Sequence, residues 1–240
     1  EAVDELDVSY VSNISQFGDP DVVIIPGSKN TISDLLWMRQ NGLEGKILRH
    51  AAKGGIVFGI CGGYQMLGQS ISDPTGAEQK GTVRGMGLLP VTTVFEQEKR
   101  RTRVSGRFAK VGGALAEMSG VCYEGYEIHM GRTVLSKGTV PLVYMEEEGE
   151  QRQDGAQSDH VYGCYMHGIF DMSETVKTFL AAVLRKKGID PSKITVRDRN
   201  AYKEEQYDRL ASIVRENLNM EAVYKIIEKG NEASCSLLSE

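Results

Sequence analysis

At 240 residues the chain can bury a proper core, as one large α/β domain or one domain with an appendage. A net charge of -5, with cations clustered only at Lys99-Arg100-Arg101 and then Arg103 and Arg107, excludes the concentrated basic face of a nucleic-acid binder. Cys61, Cys122, Cys164 and Cys235 lack paired spacing, which excludes a disulfide scaffold or a zinc cluster and fits a reduced, cytoplasmic protein.

No apolar stretch reaches the length of a membrane span, and Glu1-Ala2-Val3-Asp4-Glu5 has neither the basic nor the apolar region of a signal peptide. The chain begins without Met, so it is read as a piece that starts at a domain boundary.

Asp21-Val22-Val23-Ile24-Ile25 is a β-branched run that stops at Pro26-Gly27, the pattern of a buried central strand ending in a turn. A helix is predicted from Thr31 or Ser33, and a second over Leu43 to Lys53 before Gly54-Gly55. The apolar run Ile56-Val57-Phe58 then leads into Gly59-Ile60-Cys61-Gly62-Gly63-Tyr64-Gln65, a thiol on a glycine-bracketed strand-to-helix turn. Alternating strands and helices predict a mostly parallel sheet flanked by helices, with ligands at the carboxyl ends of the strands, where Pro26-Gly27 and Cys61 fall.

From Gly81 to Tyr144 short β segments over Leu88 to Phe95, Val104 to Val111, Tyr123 to Ile128 and Val140 to Tyr144 predict an antiparallel extension. The acidic stretch from Glu146 to Gln157 reads as an exposed loop, and Val161 to Met166 as a strand that ends at His167. Ser173 to Lys187 and Tyr202 to Glu228 read as amphipathic helices, and residues 230–240 as a frayed tail.

A thiol needs a base beside it or a helix N-terminus beneath it to become a thiolate; the helix after Cys61 supplies the second, and the imidazole must come from elsewhere in the chain. His167 is the candidate, because a residue at the end of a sheet strand emerges on the same edge as Cys61. His50 reads as a helix-surface residue, His160 as exposed, and His129 as a binding candidate. Cys122 and Cys164 read as plain core residues. Attack on a carbonyl also needs N–H donors for the developing oxyanion, and the turn residues Gly27 and Gly62 are candidates.

Pro26-Gly27-Ser28-Lys29-Asn30-Thr31, Gly59-Ile60-Cys61-Gly62-Gly63-Tyr64-Gln65-Met66-Leu67-Gly68, Gly125-Tyr126-Glu127-Ile128-His129-Met130-Gly131-Arg132-Thr133 and Tyr165-Met166-His167-Gly168-Ile169-Phe170 together resemble class I glutamine amidotransferases, most closely the cobyric acid synthase branch. The resemblance implies a flavodoxin-like amidotransferase domain over 1–229, in which Cys61 attacks the side-chain amide of L-glutamine to give a thioester and ammonia while His167 moves the proton. It places Gln65 and Arg103 in glutamine binding and His129 at the site or its interface. Many members of the class carry a glutamate two residues after the histidine. Ile169 stands there, which leaves a dyad, Asp171, Glu174 or a backbone carbonyl to hold the ring.

The resemblance further implies a preceding ATP-dependent synthetase domain, absent from this chain, that uses ATP and Mg and amidates corrinoid carboxylates. This chain has no Gly-x-x-x-x-Gly-Lys-Ser/Thr loop, and no cofactor or metal is expected in it. Amidotransferases of cobyrinic acid a,c-diamide synthase or lipid II isoglutaminyl synthase, a catalytically silent module of the same fold, and an unrelated cysteine hydrolase remain alternatives.

Overall fold

The computed structural model describes residues 3, 6–147 and 149–236. Residues 1, 2, 4 and 5, on which the leader reading rests, lie outside them, as do 148 and the last four residues of the expected tail. The chain divides into a unit over 3–196 and a second from 197 on.

In chain order the first unit contains β1 (Val22–Ile25), α1 (Thr31–Gln40), α2 (Leu43–Ala52), β2 (Ile56–Ile60), α3 (Gly62–Leu67), β3 (Ser70–Asp73), β4 (Gly81–Arg84), β5 (Val91–Phe108), β6 (Cys122–Leu135), β7 (Val143–Glu147), β8 (Glu150–Asp154), β9 (Ala156–Ser158), β10 (Val161–Cys164) and α4 (Ser173–Lys186). The second unit is built of α5 (Arg199–Asn217) and α6 (Met220–Ser236).

One sheet has the order β1-β2-β10-β9, with β1 and β10 each parallel to the central β2 and β9 antiparallel at the edge. The residues of β2 alternate between two cores. Ile56 and Phe58 face a cluster with Phe108, Tyr162 and Phe179, while Val57 faces one with Ile25, Leu35, Tyr64 and Leu67. Burial on both faces explains why β2 and β10 are almost wholly apolar, whereas β1, expected to be a buried central strand, lies at the sheet edge with Ile24 46% exposed. Burial also fixes the register, since a one-residue slip would exchange every side chain between the cores. Ile25 lies opposite Gly59 and Cys164 opposite Ile60, so all three parallel strands end at one edge.

The second sheet, ordered β4-β3-β5-β7-β8 with β6 also paired to β5, is antiparallel apart from the β3–β5 pair. The expected strands at Leu88 to Phe95 and Val104 to Val111 are parts of the single long β5, whose register with β6 shifts between Phe95 and Arg100. The acidic stretch is not a loop. It forms the β7–β8 hairpin and β9, because its residues alternate between solvent and the buried Met145 and Asp154.

The Tyr202 to Glu228 region is two helices, interrupted at Leu218, which is extended. α6 continues through residues 230–236 of the expected tail. From residue 197 on, none of the residues whose side chains are described is buried. Among the described residues no helix is long and apolar enough to cross a membrane.

Candidate active site

The three parallel strands deliver Gly27, Cys61 and His167 to the same edge within a few residues of their last paired positions. A Cβ built on Gly27 would lie 2.9 Å from His167 Cε1, 3.6 Å from Cys61 Cβ and 3.7 Å from His167 Nε2. That one position therefore touches both the thiol-bearing residue and the imidazole.

Cys61 has φ +52° and ψ -110°, and with Asp159 it is one of two non-glycine residues with positive φ among those described. Such a backbone costs on the order of 1–3 kcal/mol and persists only where the surroundings hold it. Here they do so through backbone hydrogen bonds: the Cys61 N–H donates to Cys164 O at 2.9 Å, Gln65 N–H to Cys61 O at 3.1 Å, and Gly63 N–H to Pro26 O at 3.1 Å. The last bond ties the start of α3 to the β1 turn and so fixes Gly27 beside Cys61. Gly63 is glycine because a Cβ there would meet Ile25 O at 2.0 Å.

Burial pushes the Cys61 thiol up to about 11, outweighing the Gly62 N–H that hydrogen-bonds it. Burial thus opposes ionisation of the resting thiol, against the pull of the Gly62 N–H at the start of α3. Cys61 Sγ–H instead donates to Ile128 O at 3.7 Å. His167 is held below its ordinary value by burial first and by His129 second, so its ring is neutral at neutral pH. A neutral thiol and a neutral imidazole, on residues that meet over Gly27, suit proton removal during attack rather than before it.

His167 is fixed through β6. Its N–H donates to Tyr126 O at 2.9 Å, the Tyr126 N–H returns a bond at 3.0 Å, and the two rings stack with centroids 5.0 Å apart at 8°. Tyr126 was not a sequence candidate, because its partner lies 41 positions away and no local pattern announces the contact.

Gln65 is buried, and its carboxamide is engaged at both ends: Thr31 Oγ1 donates to Oε1 at 3.1 Å and Nε2 donates to Tyr165 Oη at 3.2 Å. Thr31 opens α1, where Asn30 provides no cap. Glu78 does so from a distant loop, accepting the Thr31 N–H at 2.6 Å. Arg103 is exposed and directly opposite Tyr126 on the neighbouring strand. Gly62 packs on the β1 turn, where an added Cβ would meet Ser28 N at 2.8 Å.

His129 lies on the other face of β6. It stacks on Tyr165 at 3.7 Å and 16°, its Nδ1 is 2.8 Å from Gly131 O, and its Nε2 is 3.6 Å from Glu127 Oε1. Fully buried Glu127 also accepts from Arg152 at 2.6 Å and Arg100 at 2.9 Å. His129, Arg100 and Arg152, but not Glu127, line a cavity of about 480 Å³ that also contacts Tyr64, Asp154 and Tyr165, and that neither Cys61 nor His167 lines. His50 packs over Gly55 with Nε2 3.1 Å from Ile56 O, and His160 is half-buried. Cys164 is a core residue as expected. Cys122, at the start of β6, is exposed, because strand alternation turns it outward next to buried Tyr123. Among the described residues no His, Cys, Asp and Glu group is arranged to hold a metal ion.

Residues 1–175 match the model of the CobB/CobQ-like glutamine amidotransferase domain. The cobyric acid synthase of Ruminiclostridium cellulolyticum is 52% identical over 229 residues, covering 94% of this chain and 45% of that protein. That of Lachnoclostridium phytofermentans is 42% identical over 233 residues, covering 93% and 45%. The chain thus spans less than half the length of these relatives. In fold it resembles a crystal structure of a glutamine amidotransferase (TM-score 0.53, 16% identity, 77% of this chain and 88% of that one). It also resembles PurLQS from Thermotoga maritima (TM-score 0.53, 18% identity, 75% and 85%). The domain match over most of the chain, and the coverage of these relatives, show that the chain belongs to the family of CobB/CobQ-like glutamine amidotransferase domains.

Proposed function

We propose that this domain hydrolyses L-glutamine through a thioester on Cys61 and passes the ammonia to an ATP-dependent synthetase domain that amidates corrinoid carboxylates. The observation that carries the first part is the convergence of Cys61 and His167 on the space above Gly27. As Cys61 Sγ attacks the amide carbon, His167 takes the thiol proton and delivers it to the departing nitrogen. Water, deprotonated by the same ring, then releases glutamate and regenerates the thiol. N–H groups at Gly27 and Gly62 stabilise the oxyanion, an arrangement in which loss of one donor typically costs about 10²–10³ in kcat.

Gln65 contributes to glutamine binding with the N–H and lone pair left over from Thr31 and Tyr165, and Arg103 pairs with the substrate carboxylate. His129 shapes the site from behind, through Tyr165. No cofactor enters this half-reaction; ATP and Mg act in the synthetase domain. That the relatives are named cobyric acid synthase supports corrinoid carboxylates as the destination of the ammonia. The work is done in the cytoplasm, with no membrane or nucleic-acid partner.

The test is glutamine turnover by the full-length protein. Cys61→Ala and His167→Ala should each abolish glutamate release while leaving thermal unfolding within a few degrees of wild type. Wild-type turnover in either variant contradicts the mechanism. Amidation driven by free ammonium should survive both.

A further inference from the structure

His167 is tied to Tyr126 through its backbone, its Nε2 is buried with no hydrogen-bond partner, and the side chain two residues on is Ile169, packed in the core. A general base needs one ring orientation and one tautomer at the reacting atoms. The Tyr126 ring lies nearly parallel to the imidazole, and the backbone bridge between the residues locks its place. β6 can approach this closely because residue 125 is glycine: a Cβ there would meet His167 O at 2.1 Å.

We propose that Tyr126 is a positioning residue that holds the His167 imidazole against Cys61 by stacking on its face. This deepens the Cys61–His167 reading and rests on it. The ring face, which lies against the imidazole, acts and not the hydroxyl; Tyr126 as a whole is half-exposed. Covering one face of the imidazole also keeps water from it, which favours the neutral ring that accepts the thiol proton.

The experiment compares Y126F, Y126L and Y126A in the full-length protein by steady-state glutamine turnover, the pH profile of kcat/KM, and thermal unfolding. Y126F should stay within about 3-fold of wild type. Y126L and Y126A should lose roughly 10–100-fold in kcat with KM changed less than about 3-fold, the size expected when a reacting group is displaced by less than about 1 Å. In Y126A the acid limb should also move to higher pH, because an uncovered imidazole titrates closer to about 6.5.

A structural role alone would lower the unfolding temperature without this limb shift or rescue by phenylalanine. Should Y126A not fold, Y126L against Y126F decides. Wild-type kcat and pH profile in Y126L, or Y126F as impaired as Y126L, overturns the proposal. If Cys61→Ala is inactive while the Tyr126 variants behave as wild type, only this inference falls. If Cys61→Ala turns over glutamine, the reading beneath it falls as well.

Discussion

Replacing Gly27 by alanine puts one methyl carbon 2.9 Å from His167 Cε1 and 3.6 Å from Cys61 Cβ. The second distance is an ordinary contact. The first is not, so the imidazole must retreat by roughly 0.5 Å or more to reach normal carbon separation. Nothing in the backbone resists the substitution, because Gly27 is not among the residues with positive φ. The cost should therefore appear in catalysis and not in stability. A sub-ångström displacement of the base, with a methyl group against Cys61 Cβ, predicts a loss of about 10–100-fold in kcat, or about 1.4–2.7 kcal/mol of transition-state stabilisation.

Gly63→Ala is the control. Its methyl would come 2.0 Å from the Ile25 backbone oxygen, which cannot swing aside, so the start of α3 should be disrupted and the unfolding temperature should fall. The assay is glutamate release at saturating glutamine alongside thermal unfolding of both variants. Gly27→Ala with wild-type kcat, or with a fall in stability like that of Gly63→Ala, would refute the placement of Gly27 between base and nucleophile.

Burial alone would raise the Glu127 carboxyl, but hydrogen bonds and charge from His129 and Arg152 win and hold it near 2. A depressed folded-state value contributes stability above the unfolded value of about 4.5, and that contribution is lost as pH falls toward 2. Glu127→Gln, which leaves Arg100 and Arg152 without their buried partner, should destabilise by about 3–5 kcal/mol at pH 7 and flatten the acid limb of a stability curve between pH 5 and 2. Urea unfolding across that range checks it; an unchanged acid limb contradicts the network. Arg103→Leu should raise the KM for glutamine by about 10-fold or more with kcat nearly unchanged, as expected for a contact made equally in ground and transition states. Unchanged KM would remove Arg103 from the binding site.

The parallel half of the fold is legible in the sequence because its signals are local. Val22 to Ile25 and Ile56 to Phe58 are apolar throughout, run into glycine turns, and become β1 and β2 almost at the predicted boundaries, although β1 takes the edge of the sheet and not its centre. The nucleophile turn is legible for the same reason: crowding at Gly59, Gly62 and Gly63 acts between near neighbours in sequence or across the adjacent β1 turn. Long-range pairing is not. Nothing local ties exposed Arg100 to buried Glu127 on β6, and the acidic run reads as a loop although Glu147 and Arg152 close the same network. Charge taken in sequence suggests solvent; charge neutralised across strands permits burial. Tyr126 escaped for a related reason, since its role exists only once β6 is laid beside the segment after β10.

Attack of Cys61 on a glutamine side-chain amide, with His167 as its base, is the step on which the proposed function depends. The most direct measurement is treatment of the full-length protein with a diazoketone analogue of glutamine, followed by peptide mass mapping with and without excess glutamine. One covalent adduct is expected, on Cys61, prevented by glutamine, absent from Cys61→Ala and formed far more slowly in His167→Ala. An adduct on Cys122 or Cys164 in its place, or labelling of Cys61 at the wild-type rate without His167, would contradict it.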